Sequence, residues 1–463
     1  MSENSDSRVH RPLFSSRLAF VFAASASAIG LGNLWRFPAL AARYGGGAFL
    51  LTYLVLVVTF GFTLMIAEIA LGRSTRQSAI GAYRKLNRRF AIVGTLTMLV
   101  PIIILPYYCV IGGWILRYIG VYLAGQGAAA ADGGSFFATF IASPFPVLAF
   151  TALFLLATML VVGVGLRNGI ERLNSILMPA LILLAAGLGV YALTIPGALD
   201  GLAYYLVPHP EDFGLATVIA AMGQMFFSLS LAMGIMVTYG SYLSRDEDME
   251  TGVRRIELFD TVVALLAGFM IVPAVFAFGG IEAARQAGPS LMFITMPQIF
   301  GGQPVGQVVG LLFFALVLFA ALTSAVSIAE TIVSIVIDRF GWSRKKAVVI
   351  VLLLVLVLAA APALGFSVLS DVTLPLGGAS MSILDIMDFL SNSILMPLVA
   401  LLTCLFVGYW LKPDFVFQEA ETTAGIRFKA KWLFRVMIRY VAPAFLLLIF
   451  ISSVLNAIGV IAL

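Results

Sequence analysis

The sequence predicts an all-α integral membrane protein with eleven spans, and three observations carry that reading. Of its 463 residues, 61% are hydrophobic and only 11% are charged. A soluble globular chain is about 45–50% apolar and about 25% charged. The apolar residues fall in runs that meet the length of a bilayer-crossing helix, about 20 mostly apolar residues. No long polar stretch separates the runs, so the whole chain reads as one membrane domain whose partner is the lipid bilayer. A chain this apolar has too little polar surface to fold facing water. That excludes a soluble enzyme, a disordered scaffold and a nucleic-acid binder, and no nucleic-acid partner is expected.

Taken in order, the runs alternate with basic segments. A polar tail, 1–17, carries Arg8, Arg11 and Arg17 ahead of spans near 18–43 and 46–71. Arg73, Arg76, Arg84, Lys85, Arg88 and Arg89 follow, then spans 90–124 and 146–164. Arg167 precedes and Arg172 opens span 171–195, which a loop over 196–213 separates from span 214–243. Arg245, Arg254 and Arg255 introduce spans 254–281 and 304–338. Arg339, Arg344, Lys345 and Lys346 introduce spans 346–362 and 379–411. A loop over 412–431 and the start of the last span, 432–461, hold Lys412, Arg427, Lys429, Lys431, Arg435 and Arg439. Lysine and arginine accumulate on the cytoplasmic side of membrane proteins. With the N-terminus inside, only Arg36, Arg43, Arg117 and Arg285 fall elsewhere among the 28 basic residues. The expected setting is a plasma (inner) membrane, N-terminus cytoplasmic and Leu463 extracytoplasmic. The net charge of +5 is then a mark of topology.

Two cysteines, Cys109 and Cys404, lie within apolar runs, which excludes a disulfide framework. The two histidines, His10 and His209, lie in the tail and in a loop, so no intramembrane imidazole is available for a proton relay or metal site. Leu18–Ala24 followed by Ser25–Ala28 imitates a signal peptide, but the apolar run continues past the apparent cut.

Two spans are interrupted at mid-membrane. The first contains Ser25-Ala26-Ser27-Ala28-Ile29-Gly30-Leu31-Gly32-Asn33, and the sixth contains Phe227-Ser228-Leu229-Ser230-Leu231-Ala232-Met233-Gly234. Small residues there permit close helix packing. They equally permit unwound backbone, which at that depth is tolerated only where it lines a cavity. The positions favour the second reading. First and sixth are corresponding elements of a five-plus-five arrangement, and because five is odd the halves insert with opposite topology. Paired interrupted helices in an inverted repeat point to a midplane site in a secondary transporter. The repeats would be 18–195 and 214–411, with 432–463 as an eleventh helix.

Gly30-Leu31-Gly32-Asn33-Leu34-Trp35-Arg36-Phe37-Pro38, Gly45-Gly46-Gly47-Ala48-Phe49, Glu68, Tyr107-Tyr108, Phe227-Ser228-Leu229-Ser230-Leu231 and Leu322-Thr323-Ser324 occur in that order. This series resembles the neurotransmitter:sodium symporter family, in its bacterial amino-acid branch, over all but the polar tail. The resemblance implies a LeuT-type inverted repeat with the first and sixth helices unwound, and two sodium ions. One ion would sit among Ala28, Asn33, Ser228, Asp260 and the substrate carboxylate. The other would sit among Ala26, Ile29, Ala320, Thr323 and Ser324. The Thr323-Ser324 hydroxyls also admit a bland reading, back-bonding to the preceding helical turn. Substrate would meet the amides of Leu31 and Gly32, the hydroxyl of Tyr108, and carbonyls near Ser27, Phe227 and Ser230. Its side chain would rest among Ile104, Phe227, Met233, Ser324 and Ile328, with Ser228 close by. No charged residue stands at these positions, so a neutral, hydrophobic L-amino acid is expected, aromatic or aliphatic. No organic cofactor is expected.

Charges inside a membrane are costly and mark function. By resemblance, Arg36 and Asp388 form an outer gate with Tyr108 and Phe227, and Arg11, Tyr242 and Asp338 form an inner gate. A permanent structural ion pair is the bland reading of each. Asp260 stands where the family commonly has asparagine, with Tyr53, Gln224 and Ser228 nearby and Ala264 where animal members carry serine. A fixed carboxylate there can replace a chloride ion, so chloride is not expected; the bland reading pairs Asp260 with Arg254 or Arg255. The sequence leaves other readings open: a carrier of another small zwitterion or amine, a transport-inactive amino-acid sensor, a channel, or a membrane enzyme using Asp385 and Asp388. The oligomeric state is not set by the sequence.

Overall fold

The computed structural model describes residues 11–284, 290–303, 305–376 and 379–457. Arg8, His10, Arg285 and the expected outer end at Leu463 lie outside them. Among the described residues, nine helices are long and apolar enough to cross a membrane. They are Gly47–Thr75, Arg88–Leu123, Pro144–Val164, Leu166–Ala192, Met249–Gly280, Gly306–Phe340, Arg344–Leu364, Ile383–Trp410 and Lys431–Leu455. The first span is broken: Arg17–Ala28 and Gly32–Arg43 meet at 53°. The sixth is broken as well, into Leu215–Ser228 and Ile235–Tyr242. These segments stand at the eleven places read as spans.

Each break follows from local chemistry. Ile29 leaves helical geometry, with ψ at 94°, after its amide closes the last turn on Ser25. The second half, Gly32–Arg43, restarts beyond Gly30, first as the wide turn Gly32–Arg36 and then as Phe37–Arg43 with Pro38 in its first turn. Gly32 lets the two broken spans touch, since a Cβ there would run into the Phe227 ring. In the sixth span, Ser230, Ala232 and Gly234 take φ of 54°, 60° and 78°. That left-handed region costs an L-residue roughly 1–2 kcal/mol, so two non-glycine residues must be held there. One tie is visible: the Ala232 amide donates to Glu68 Oε1 at 2.7 Å. Freed backbone groups in the first span are paired likewise. The Gly30 amide donates to Asn33 Oδ1 at 3.3 Å, and the Leu31 amide donates to the Tyr108 hydroxyl at 3.3 Å.

Several expectations needed adjustment. The tenth span begins at Ile383, not at 379, because Ala379–Met381 pairs antiparallel with Leu374–Leu376. Ser382 and Asp385 then form a reciprocal capping box at the helix start. This gives Asp385 a structural task in place of the enzymatic one that its spacing from Asp388 suggested. The loops read over 196–213 and 412–431 contain the helices Ala198–Leu206 and Pro413–Ala420. The second is docked by Arg73, fully buried, whose Nε donates to Glu419 Oε1 at 2.9 Å. A further apolar helix, Leu291–Gly301, lies between the seventh and eighth spans.

Candidate functional site

The two breaks face each other at mid-span. Ser27, Leu31, Gly32, Ile104, Tyr108, Phe227, Ser230, Met233, Ser324 and Ile328, all anticipated as substrate contacts, line a cavity of about 20 Å³ with Ala28 and Gly30. No charged side chain is part of that lining. The Ser230 hydroxyl donates to the Ser27 carbonyl at 3.0 Å, stitching one unwound segment to the other. Ser228 stands outside the lining, its hydroxyl turned to Asp260 at 2.9 and 3.0 Å.

Oxygen atoms concentrate at two points beside this cavity. At the first, the Ser324 hydroxyl lies 3.4, 3.1 and 3.3 Å from the carbonyl oxygens of Ala26, Ser27 and Ile29. These carbonyls were freed by the break. Such a cluster of hard oxygens is what a hard cation takes as ligands. Ala320 belongs to the same helix, and its carbonyl accepts from Thr323 Oγ1 at 3.1 Å. Thr323 also donates to the Phe319 carbonyl at 2.9 Å, so its hydroxyl has the back-bonded geometry.

At the second point, Asp260 is fully buried. Asn33 Nδ2 donates to its Oδ1 at 2.8 Å, and the Tyr53 hydroxyl donates to its Oδ2 at 3.0 Å. Among the described residues, no cation forms an ion pair with it. Arg254 pairs with Glu257 instead, at 3.3 Å. The bland reading of Asp260 as a helix-end acid held by Arg254 or Arg255 is thereby overturned. Gln224 Nε2 donates to the Gly32 carbonyl at 3.0 Å.

Above the small cavity lies a larger one, about 320 Å³, whose lining includes Arg36, Tyr107, Tyr108, Phe227, Asp385 and Asp388. The expected outer group is thus assembled, yet Arg36 and Asp388 are not within ion-pair distance among the described residues. Arg36 sits over the Phe227 ring, 5.8 Å from its centroid. Asp388 Oδ1 accepts instead from Tyr107 at 3.1 Å and Asn392 at 2.6 Å.

At the opposite end the charges are in contact. Arg11 pairs with Asp338, donates to Ser241 Oγ at 3.0 Å and Ser334 Oγ at 2.9 Å, and lies 5.1 Å from the Tyr242 ring centroid. Asp338 Oδ2 accepts the Ser78 amide at 2.7 Å and its hydroxyl at 2.6 Å. Sequence reasoning missed the second half of this network. The Tyr242 hydroxyl donates at 2.7 Å to Glu330, which is fully buried and ion-paired to Arg344. The signal was available: Glu330 is an acid inside an apolar run, the same criterion that singled out Asp260.

Comparisons with known proteins agree with this geometry. The model of the sodium:neurotransmitter symporter family matches residues 11–126 and 146–460. A sodium-dependent transporter of Bacillus subtilis (strain 168), YhdH, is 36% identical over 97% of this chain and 98% of its own length. The human sodium- and chloride-dependent transporter XTRP3 is 29% identical over 56% of this chain and 49% of its own length. Among solved structures, MhsT in complex with L-phenylalanine superposes with a TM-score of 0.87 at 38% identity, covering 96% of this chain and all of that one. Broken spans, convergent carbonyls and full-length kinship coincide: the chain belongs to the sodium:neurotransmitter symporter family and is a sodium-dependent symporter of that family.

Proposed function

We propose that this protein carries a neutral, hydrophobic L-amino acid together with Na⁺ by alternating access, and that it does so without chloride. The observation that carries this reading is the convergence of the freed carbonyls of Ala26, Ser27 and Ile29 on Ser324, beside an uncharged cavity. The amides of Leu31 and Gly32 open a helix of positive dipole end, suited to a carboxylate. Carbonyls near Ser27, Phe227 and Ser230 take the ammonium. Ile104, Phe227, Met233 and Ile328 meet an apolar side chain, in keeping with the L-phenylalanine held by MhsT.

One sodium is assigned to Ala26, Ile29, Ala320, Thr323 and Ser324. The other is assigned to Ala28, Asn33, Ser228 and Asp260 with the substrate carboxylate. Asp260 supplies the fixed negative charge that a chloride ion would otherwise bring, which separates this chain from its chloride-dependent human relative. One charge crossing 100 mV is worth about 2.3 kcal/mol. Two ions then drive roughly three decades of accumulation before the sodium gradient is counted.

The gates follow the charge pairs. Arg11–Asp338 over Tyr242 closes the inner end, and Arg36 closes on Asp388 above bound substrate, with Tyr108 and Phe227 as the lid below. The five-plus-five inverted repeat, with the N-terminus cytoplasmic, supplies the rocking halves. Uptake of labelled amino acids into proteoliposomes tests the whole scheme. Saturable uptake that vanishes when Na⁺ is replaced by choline, and survives replacement of chloride by gluconate, is the expected result. Binding without uptake would make the protein a sensor, and loss of uptake in gluconate would refute the chloride reading.

A further inference from the structure

A third cavity, about 390 Å³, opens on the basic face beside the Arg11–Asp338 pair. Its walls are the short helix Ala79–Leu86 and the end of the eighth span. Arg84, Lys85 and Arg339 line it together with a single acid, Asp338. That acid is already engaged: one oxygen meets Arg11 and the other accepts both donors of Ser78. It therefore has little left with which to balance the three cations. Lys85 donates to the Thr75 carbonyl at 3.0 Å. Arg84 and Arg339 have no hydrogen-bond or ion-pair partner among the described residues. The floor is apolar, made of Ile80 and Ile335, and belongs to a small cluster with Ala79, Ala82 and Val237 apart from the main core.

Basic loops at this end have a topological explanation, and the last turn of a helix favours cations on dipole grounds. Neither explanation calls for an open cleft in which exposed guanidinium groups from two separate helices border apolar residues. The geometry points to a binding site for a phosphate group, held between Arg84 and Arg339 with Lys85 at its edge, and adjoining the Ser78–Asp338 contact. Guanidinium groups suit phosphate oxygens because their donors form a planar fork. The volume and the apolar floor accommodate a phospholipid headgroup with the start of its chains, and a soluble phosphate offers the same oxygens. The proposal is independent of the transported substrate.

The test is retention of phosphatidylglycerol by the full-length protein in phosphatidylcholine nanodiscs, read by native mass spectrometry, with inorganic phosphate titrated in a parallel series. Each basic residue near an anionic headgroup contributes about fivefold in affinity, so Arg84→Gln/Arg339→Gln is expected to weaken retention about thirtyfold. Arg88→Gln/Arg89→Gln, on the same face and outside the cavity lining, is expected to change it little. Displacement of the lipid by inorganic phosphate supports the site with a soluble source; retention unaffected by phosphate supports it with a lipid source. Equal loss in both double variants would reduce the effect to a diffuse attraction and overturn the proposal. So would equal retention of phosphatidylglycerol by wild type and Arg84→Gln/Arg339→Gln.

Discussion

The Ser228 hydroxyl reaches both carboxylate oxygens of Asp260, at 2.9 and 3.0 Å. This contact ties the end of the first half of the sixth span, Leu215–Ser228, to the seventh at the level of the breaks. With Asn33 and Tyr53 completing the shell, Asp260 is a buried carboxylate solvated by dipoles and without a cation partner among the described residues. A buried charge in that situation is costly unless a counter-ion is supplied, and Na⁺ is the counter-ion this family transports.

Asp260→Asn removes the charge and keeps a comparable shape. Hydrogen bonds and contacts to charged groups carry about 1.5–3 kcal/mol, so the variant should need roughly ten- to hundredfold more Na⁺ for half-maximal uptake. The sodium dependence of initial uptake rates checks this. An unchanged half-saturating concentration would remove Asp260 from the ion's surroundings.

Asp388→Asn addresses the outer end. Arg36 rests on Phe227 while Asp388 is held by Tyr107 and Asn392, so the proposed closure requires an exchange of partners. The variant should lose most uptake with membrane abundance near wild type, and should still bind substrate in detergent. Full uptake by this variant would show that the pair is not a gate.

Glu330 and Arg344 invite a double-mutant cycle. Removing one partner of a buried pair strands the other, at about 3–5 kcal/mol, whereas removing both is often tolerated. Glu330→Met and Arg344→Met should each lower the melting temperature in detergent more than the combined variant does. Additive losses would mean that the pair is not coupled.

Glu68 is expected to hold the left-handed stretch of the sixth span in place. Glu68→Gln keeps an acceptor for the Ala232 amide, while Glu68→Ala orphans that amide at a cost of about 1–3 kcal/mol. Melting temperatures should therefore fall in the order wild type, Gln, Ala, with substrate affinity following the same order. Indistinguishable Gln and Ala variants would show that the bond at 2.7 Å contributes nothing.

Much of the fold was legible because membranes punish exceptions. Apolar length marked every span, and glycine with small hydroxyl residues marked both breaks. Asp260 was legible as a charge in the wrong place, and the structure surrounds it with three of the residues the sequence had placed near it, Asn33, Tyr53 and Ser228. Glu330 escaped because Arg344, its partner, reads in sequence as one more topological marker; only the fold shows that it turns inward. Loop helices such as Ala198–Leu206 and Pro413–Ala420 escaped because nine or eight residues give too short a periodic signal beside runs of 20 or more. The strand pair before Ile383 has its own cue, Gly377-Gly378 between two short runs, which hydropathy alone passes over.

The 53° bend of the first span has a mechanical consequence. An intact helix swung through such an angle would have to rupture its own ladder of hydrogen bonds. Here Ile29, Gly30 and Leu31 form a joint whose ladder is already interrupted, with the Gly30 and Leu31 amides tied to the side chains of Asn33 and Tyr108. Each half is then a separate lever, and the stiffness of the joint is set by whatever sits among those side chains. Under the proposed substrate site, cargo at the joint would thereby also be its lubricant or its brake.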